Sequence, residues 1–270
     1  KKIIAASPTV YDMAAYPKTL SGKTVATYVN THTDLSDELY REGKLVSDNY
    51  KNILRSQTNA AAIPAEVTVR YGVTVRRANL RNLPTGEGLF FYASDRNFDA
   101  LQETALDPGE AVAILHTSTN GYFYYVQAYN YRGWLSKFDV AETDRSTWLR
   151  YAEPKNFLTV VAKDYTLKAD GAQVLFQQGA RLQLADKKAS AYTVKVPVRT
   201  KEGKLQEEKV VLAANASLHE GYLPYTTNNI IRSAFKFYDS VYGWGGLQQS
   251  VDCSSFISNA YRTVGIFLPR

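Results

Sequence analysis

The sequence predicts an α+β chain of several domains: a partly helical N-terminal extension, two strand-rich units, then a pair of helices. Three observations carry this. The chain has 270 residues, room for two or three domains of about 100 to 200 residues each. Its hydrophobic period changes twice, to alternation near residue 66 and to helical spacing after Tyr222. It holds 20 tyrosines against one methionine, a bias that suits half-buried strands and aromatic surfaces better than a helical bundle.

Residues 1–65 read as a polar extension with some helix. In SDELYREGKLVSDNYKNILRSQ, Ser36 caps a helix bearing Leu39 and Tyr40, Gly43 interrupts it, and Tyr50, Ile53 and Leu54 supply a second apolar face. Pro64 stops any helix before the next pattern begins. Residues 66–150 alternate valines with polar residues in VTVRYGVTVRRANLR, then continue through EAVAILHTS and GYFYYVQAYN, parted by a turn at Asn120-Gly121. This is a small barrel or sandwich, closed by Tyr131, Arg132, Gly133, Trp134 and Leu135. Residues 151–218 form a second strand-rich unit, punctuated at Asp170-Gly171, Gly179, Asp186 to Lys188 and Glu202-Gly203. The likeness between the two units is too slight to establish a repeat.

Residues 219–270 return to helical spacing. Thr226 or Thr227 caps a helix whose Ile230, Ala234, Phe237 or Tyr238, and Val241 share one face, and Gly243, Gly245 and Gly246 then force a loop. A second helix follows in DCSSFISNAYRTVG, with Phe256, Ala260, Tyr261 and Val264 at helical spacing, Gly265 as its stop and Pro269 forbidding continuation. Cys253 falls in its first turn.

Apolar residues at 45% and charged residues at 21% exclude wholesale disorder and collagen-like composition. No apolar stretch approaches the roughly 20 residues of a membrane span, and the opening KKIIAASPTVYDMAAYP lacks the apolar segment of an intact signal peptide, so a soluble, already processed chain is expected. The net charge of +6 is spread along the chain, which argues against nucleic acid and fits loose attraction to an anionic polymer or surface. A single cysteine leaves no internal disulfide and no multi-cysteine metal site.

That cysteine is the strongest chemical signal. A thiol at a helix N-terminus faces unpaired N–H groups and the positive end of the helix dipole, which favour the thiolate a nucleophile needs. The glycines at 243–246 permit close approach of an extended substrate, and the N–H groups at the helix start can hold an oxyanion. The alternative is a small, buried, inert side chain. Other groups carry weaker readings. His32, His116 and His219 stand at no position that matches a base for the thiol. Asp34, Asp37, Glu38 and Glu42 read as a solvated helix start rather than a metal site. Arg76, Arg77 and Arg81 interleave with strand residues and give no clear nucleic-acid face. The glycine run lacks the Lys-Ser or Lys-Thr of a phosphate loop.

The runs Tyr242-Gly243-Trp244-Gly245-Gly246, Val251-Asp252-Cys253-Ser254-Ser255-Phe256 and Gly265-Ile266-Phe267-Leu268-Pro269-Arg270 resemble, in order, the nucleophile half of the NlpC family of bacterial cell-wall cysteine peptidases. The strand units, with RRANLRNLP and YRGWL, are similar to the bacterial SH3-like domains that precede such enzymes. The resemblance implies two SH3-like β-barrels followed by the N-terminal helical part of a papain-like domain. It implies hydrolysis between γ-D-glutamate and a diamino acid in peptidoglycan stem peptides, with a murein tripeptide as a short substrate and no cofactor. Cys253 is then the nucleophile; Asp252 and Ser254 belong to the pocket for the free amine of the N-terminal alanine, Trp244 shapes its wall, and Tyr131 caps it, with neighbouring tyrosines as alternatives. In that family the histidine and its orienting residue lie downstream of the LPR motif, so the resemblance further implies that the peptidase domain is incomplete here, truncated or cleaved. It implies export to the periplasm or cell envelope, with a lipid anchor before processing as one form this takes; cytoplasmic recycling of short peptides is the other compartment open to relatives. The competing function is a non-catalytic module in which the SH3-like domains hold wall peptide.

Overall fold

The computed structural model describes residues 9–31 and 35–270. His32 and Asp34, considered above, lie outside the described residues.

The N-terminal stretch is less helical than its spacing predicts. Strand β1 (Thr19–Ser21) leads into α1 (Gly22–Asn30), capped by the Ser21 side chain on the Thr24 N–H. The helix expected after Ser36 is instead a hairpin of β2 (Tyr40–Arg41) and β3 (Lys44–Leu45). Glu42 (φ 52°) and Gly43 (φ 80°) are both left-handed, the backbone of a two-residue primed turn, and such a turn outweighs a short helical period. Leu35 and Leu39 are still buried, in a small core with Leu54 of α2 (Asp48–Ser56) and with Leu83, Leu89 and Leu101. Strand β4 (Glu66–Thr68) pairs antiparallel with β1.

The next seven strands are β5 (Arg70–Thr74), β6 (Ala78–Arg81), β7 (Gln102–Leu106), β8 (Ala111–Thr117), β9 (Phe123–Gln127), β10 (Arg132–Ser136) and β11 (Val140–Thr143). They form one sheet in the order β11-β5-β8-β9-β10-β6-β7. The sheet is buried on both faces, and the alternation along β8 shows it: Val112 and Ile114 join Leu80, Val126, Leu135 and Val140 in an inner core, around which the strands curl. Gly72 belongs to that inner face because a Cβ there falls 2.5 Å from Val140 Cγ1. Ala111, Ala113 and Leu115 face outward and are covered by Val25 and Val29 of α1 and by Trp148 of α3 (Arg145–Ala152). The N-terminal stretch is thus the cover of this sheet.

The second strand unit comprises β12 (Phe157–Val160), β13 (Asp164–Ala169), β14 (Ala172–Gln177), β15 (Arg181–Lys188), β16 (Ala191–Arg199), β17 (Leu205–Ala213) and β18 (Leu218–Glu220). Five strands run in the order β17-β16-β15-β12-β18 and the β13-β14 hairpin stands beside them. Leu158, Phe176, Leu182, Val194 and Val196 share its core.

Two helices end the chain. The first, α4 (Thr227–Phe235), is capped by Thr226 and stops short of the expected face, so that Val241 lies outside it and is exposed. The second, α5 (Cys253–Arg262), starts where its pattern predicts. No helix of the described residues is long and apolar enough to cross a membrane.

Candidate active site

Cys253 is the first residue of α5 and its thiol is exposed. Asp252 caps the helix: its Oδ1 accepts from the Ser255 N–H at 2.9 Å, while its own N–H donates to Ser255 Oγ at 2.9 Å. The same carboxylate is only 3% exposed and takes further donors from both sides. The Gly245 N–H lies 3.0 Å from Oδ2, and Arg270 Nη1 lies 2.7 Å from Oδ2 and 2.5 Å from Ser254 Oγ. Burial pushes the Asp252 carboxyl up, but the Ser255 hydrogen bonds and the Arg270 guanidinium outweigh it and hold the group below the usual carboxylate range.

One side chain that interacts with the thiol was passed over in the sequence reading. Tyr242 pairs in a short parallel bridge with Val251, and the Gly243 N–H donates to Val251 O at 3.0 Å. This places the Tyr242 hydroxyl beside both the thiol and the backbone N–H of Cys253; burial and then contact with the thiol keep the hydroxyl protonated.

The glycine loop does not serve the purpose its spacing suggests. Gly245 (φ 55°) and Gly246 (φ 81°) are both left-handed, and both lie against the first sheet. A Cβ at Gly245 falls 2.5 Å from Gln102 Cγ, and one at Gly246 falls 2.8 Å from Ala105 Cβ. Gln102 Nε2 donates to Gly245 O at 2.9 Å and Arg77 Nη2 to Gly246 O at 3.3 Å. The glycines allow close approach of a neighbouring strand, β7, where a substrate was expected. Trp244 follows the same course, donating Nε1 to Asp99 O at 3.0 Å and packing edge-on to Phe98.

Two of the three arginines in the RRANLR stretch are committed to this junction. Arg81 is buried against Asp99 at 2.5 Å, and Arg77 meets Asp107 at 3.1 Å; Arg76 pairs with Asp139 at the surface. Asp107 also receives Arg262 of α5 at 3.1 Å, and the same guanidinium reaches Glu110 at 2.6 Å. The second sheet joins in through Gln177, whose N–H donates to Asp107 Oδ1 and whose Nε2 donates to Ser250 O, each at 3.0 Å. The thiol-bearing helix is thus fixed between both sheets.

Tyr131 immediately precedes β10 and donates its hydroxyl to Glu103 Oε2 at 2.5 Å. Burial first, then that bond, keeps the phenol protonated. Both residues line a cavity of about 540 Å³ whose wall also includes Arg270, so Arg270 links the Tyr131 pocket to Asp252 and Ser254. Glu103 also accepts from Asn82 Nδ2 and has no cationic partner among the described residues. His116 Nε2 lies on Asn59 O at 3.0 Å, and His219 Nδ1 lies 3.3 Å from Gly221 O; neither has Cys253 as a partner. Among the described residues no three His, Cys, Asp or Glu side chains gather as a metal site.

Residues 89–136 match the SH3 domain family of the SH3b1 type. No curated protein matches the chain in sequence. Among solved structures, the chain is similar to an NlpC/P60 endopeptidase from Photobacterium damselae subsp. piscicida, with a TM-score of 0.70 and 23% identity over 92% of this chain and 54% of that one. The chain therefore spans about half the length of that structure and shares its fold. An NlpC/P60 family protein from Bacillus cereus ATCC 10987 aligns with a TM-score of 0.49 and 16% identity over 63% of this chain and 57% of that one.

Proposed function

We propose that this chain carries the nucleophile half of a cysteine endopeptidase of the cell envelope, which cleaves between γ-D-glutamate and a diamino acid in peptidoglycan stem peptides. One observation carries the reading: an exposed thiol on the first residue of a helix, with the Tyr242 hydroxyl set against both the sulfur and the Cys253 N–H. In this reading the Cys253 thiolate attacks the scissile carbonyl, and the Tyr242 hydroxyl and the Cys253 N–H hold the oxyanion.

The amine end of the substrate enters the cavity under Tyr131. Asp252 is already neutralised by Arg270, whereas Glu103 accepts from Tyr131 and Asn82 and forms no ion pair among the described residues. Glu103 and Tyr131 therefore receive the α-ammonium, and Asp252, Ser254 and Arg270 form the adjoining floor. The SH3b1-type unit is then part of the substrate site as well as a support for wall binding. The test is hydrolysis of L-Ala-γ-D-Glu-meso-diaminopimelate by the full-length protein and its Cys253→Ala variant. A substrate that is bound with no cleavage by either protein supports the non-catalytic binding module instead.

A further inference from the structure

Phe98 is 46% exposed, on the loop between β6 and β7, yet its place is closely determined. Asp95 Oδ1 accepts from the N–H groups of Asn97 and Phe98, at 2.8 and 3.2 Å. The next residue, Asp99, is buried on Arg81 and accepts from the N–H groups of Leu89 and Leu101, at 3.0 Å each. The Phe98 ring so held stands 6.1 Å from the Tyr242 ring, with the planes 39° apart, and 5.5 Å from the Trp244 ring at 65°. Both lie within the range of attractive aromatic pairs. Gln248 Nε2, on the same glycine loop, donates to Asn97 Oδ1 at 3.2 Å.

Tyr242 itself is 49% exposed. Its backbone is fixed by the bridge to Val251, but a tyrosine hydroxyl lies at the end of two rotatable bonds, so a half-exposed ring needs a neighbour to keep one rotamer. The ring's aromatic neighbour is Phe98, and its hydroxyl meets Cys253.

We propose that Phe98 is a positioning residue: the first sheet, through this ring, holds the Tyr242 hydroxyl at Cys253 and so contributes to the rate of the chemical step. The inference rests on Cys253 being the nucleophile. It assigns the loop at 95–99 a role separate from that of the Tyr131 pocket.

Steady-state hydrolysis of L-Ala-γ-D-Glu-meso-diaminopimelate by the full-length protein tests it. Phe98→Ala lowers kcat about tenfold, since small misplacements of a catalytic group carry large costs, and leaves KM within about twofold and the melting temperature unchanged. Phe98→Tyr, which keeps the ring, restores most of kcat. In a Tyr242→Phe background the Phe98→Ala loss disappears, because the hydroxyl it positions is gone. An unchanged kcat in Phe98→Ala, or losses that multiply in the double variant, overturns the inference while the nucleophile stands. Turnover that survives Cys253→Ala overturns the reading of the nucleophile and the inference with it.

Discussion

Arg262 of α5 sets its Nη1 3.1 Å from Asp107 Oδ2 of the first strand unit, in an ion pair with both side chains almost wholly buried. The guanidinium also reaches Glu110 at 2.6 Å, and Gly179 of the second unit lies so close that a Cβ there falls 2.5 Å from Arg262 Cβ. The helix that carries the thiol is therefore locked by a charge network with the first strand unit and by close packing against the second. Removing one member of a buried pair leaves its partners charged and unsolvated, which typically costs about 3 to 5 kcal/mol. Arg262→Ala is expected to lower the urea midpoint accordingly, and Arg262→Lys to recover part of it, because an ammonium lacks the fork that serves both carboxylates. An unchanged midpoint in Arg262→Ala counts against the network as the lock.

Asp252 gives a pH dependence with a definite sign. Its carboxyl lies below the usual range in the folded chain, so its contribution to stability is complete above the ordinary value of about 3.9 and is lost as the pH falls through the depressed folded value. Melting curves of wild type and Asp252→Asn are expected to differ at pH 6 and to converge in acid. A difference that holds constant down to pH 2 contradicts a carboxylate held by the Ser255 hydrogen bonds and Arg270 as its source.

The glycine loop predicts a contrast between two glycine substitutions. Gly245→Ala places a methyl 2.5 Å from Gln102 Cγ at φ 55° and should release the loop from β7, with a fall in both melting temperature and activity. Gly86→Ala meets nothing within 4 Å and serves as the silent control. Equal effects from the two remove the close packing argument.

Much of this was legible in the sequence because local chemistry decided it. Thr226 and Asp252 cap their helices as their side chains suggest, and Asn120-Gly121 lies between β8 and β9. The failures have a common cause in tertiary context. Leu39 and Tyr40 fit a helical period and a strand equally over so few residues, and the left-handed pair Glu42-Gly43 settled the matter. The glycines at 245 and 246 signalled close approach, but nothing in the sequence said that β7 was the approaching partner. Tyr242 was in plain view within its motif; only the bridge to Val251, nine residues on, aims it at Cys253. Glu103 and Arg270 are separated by most of the chain and meet only around the folded cavity.

The amine pocket predicts a selective loss. Glu103→Gln is expected to reduce kcat/KM for a free-amine substrate about 10- to 100-fold, the range of a hydrogen bond to a charged group. The rate on the N-acetylated peptide should be already low and barely altered. Tyr131→Phe should show a smaller loss in the same direction. Equal rates on free and acetylated peptides in the wild type remove amine capture from the account.

The central claim is that Cys253 is a nucleophile, and the measurement that bears on it most directly is mass spectrometry of the full-length protein with its murein tripeptide substrate. Rapid acid quenching should trap an acyl adduct on the peptide containing Cys253, and Cys253→Ala should lose both the adduct and turnover while it keeps the wild-type melting profile. Full turnover in that variant, with no adduct on the wild type, contradicts the account.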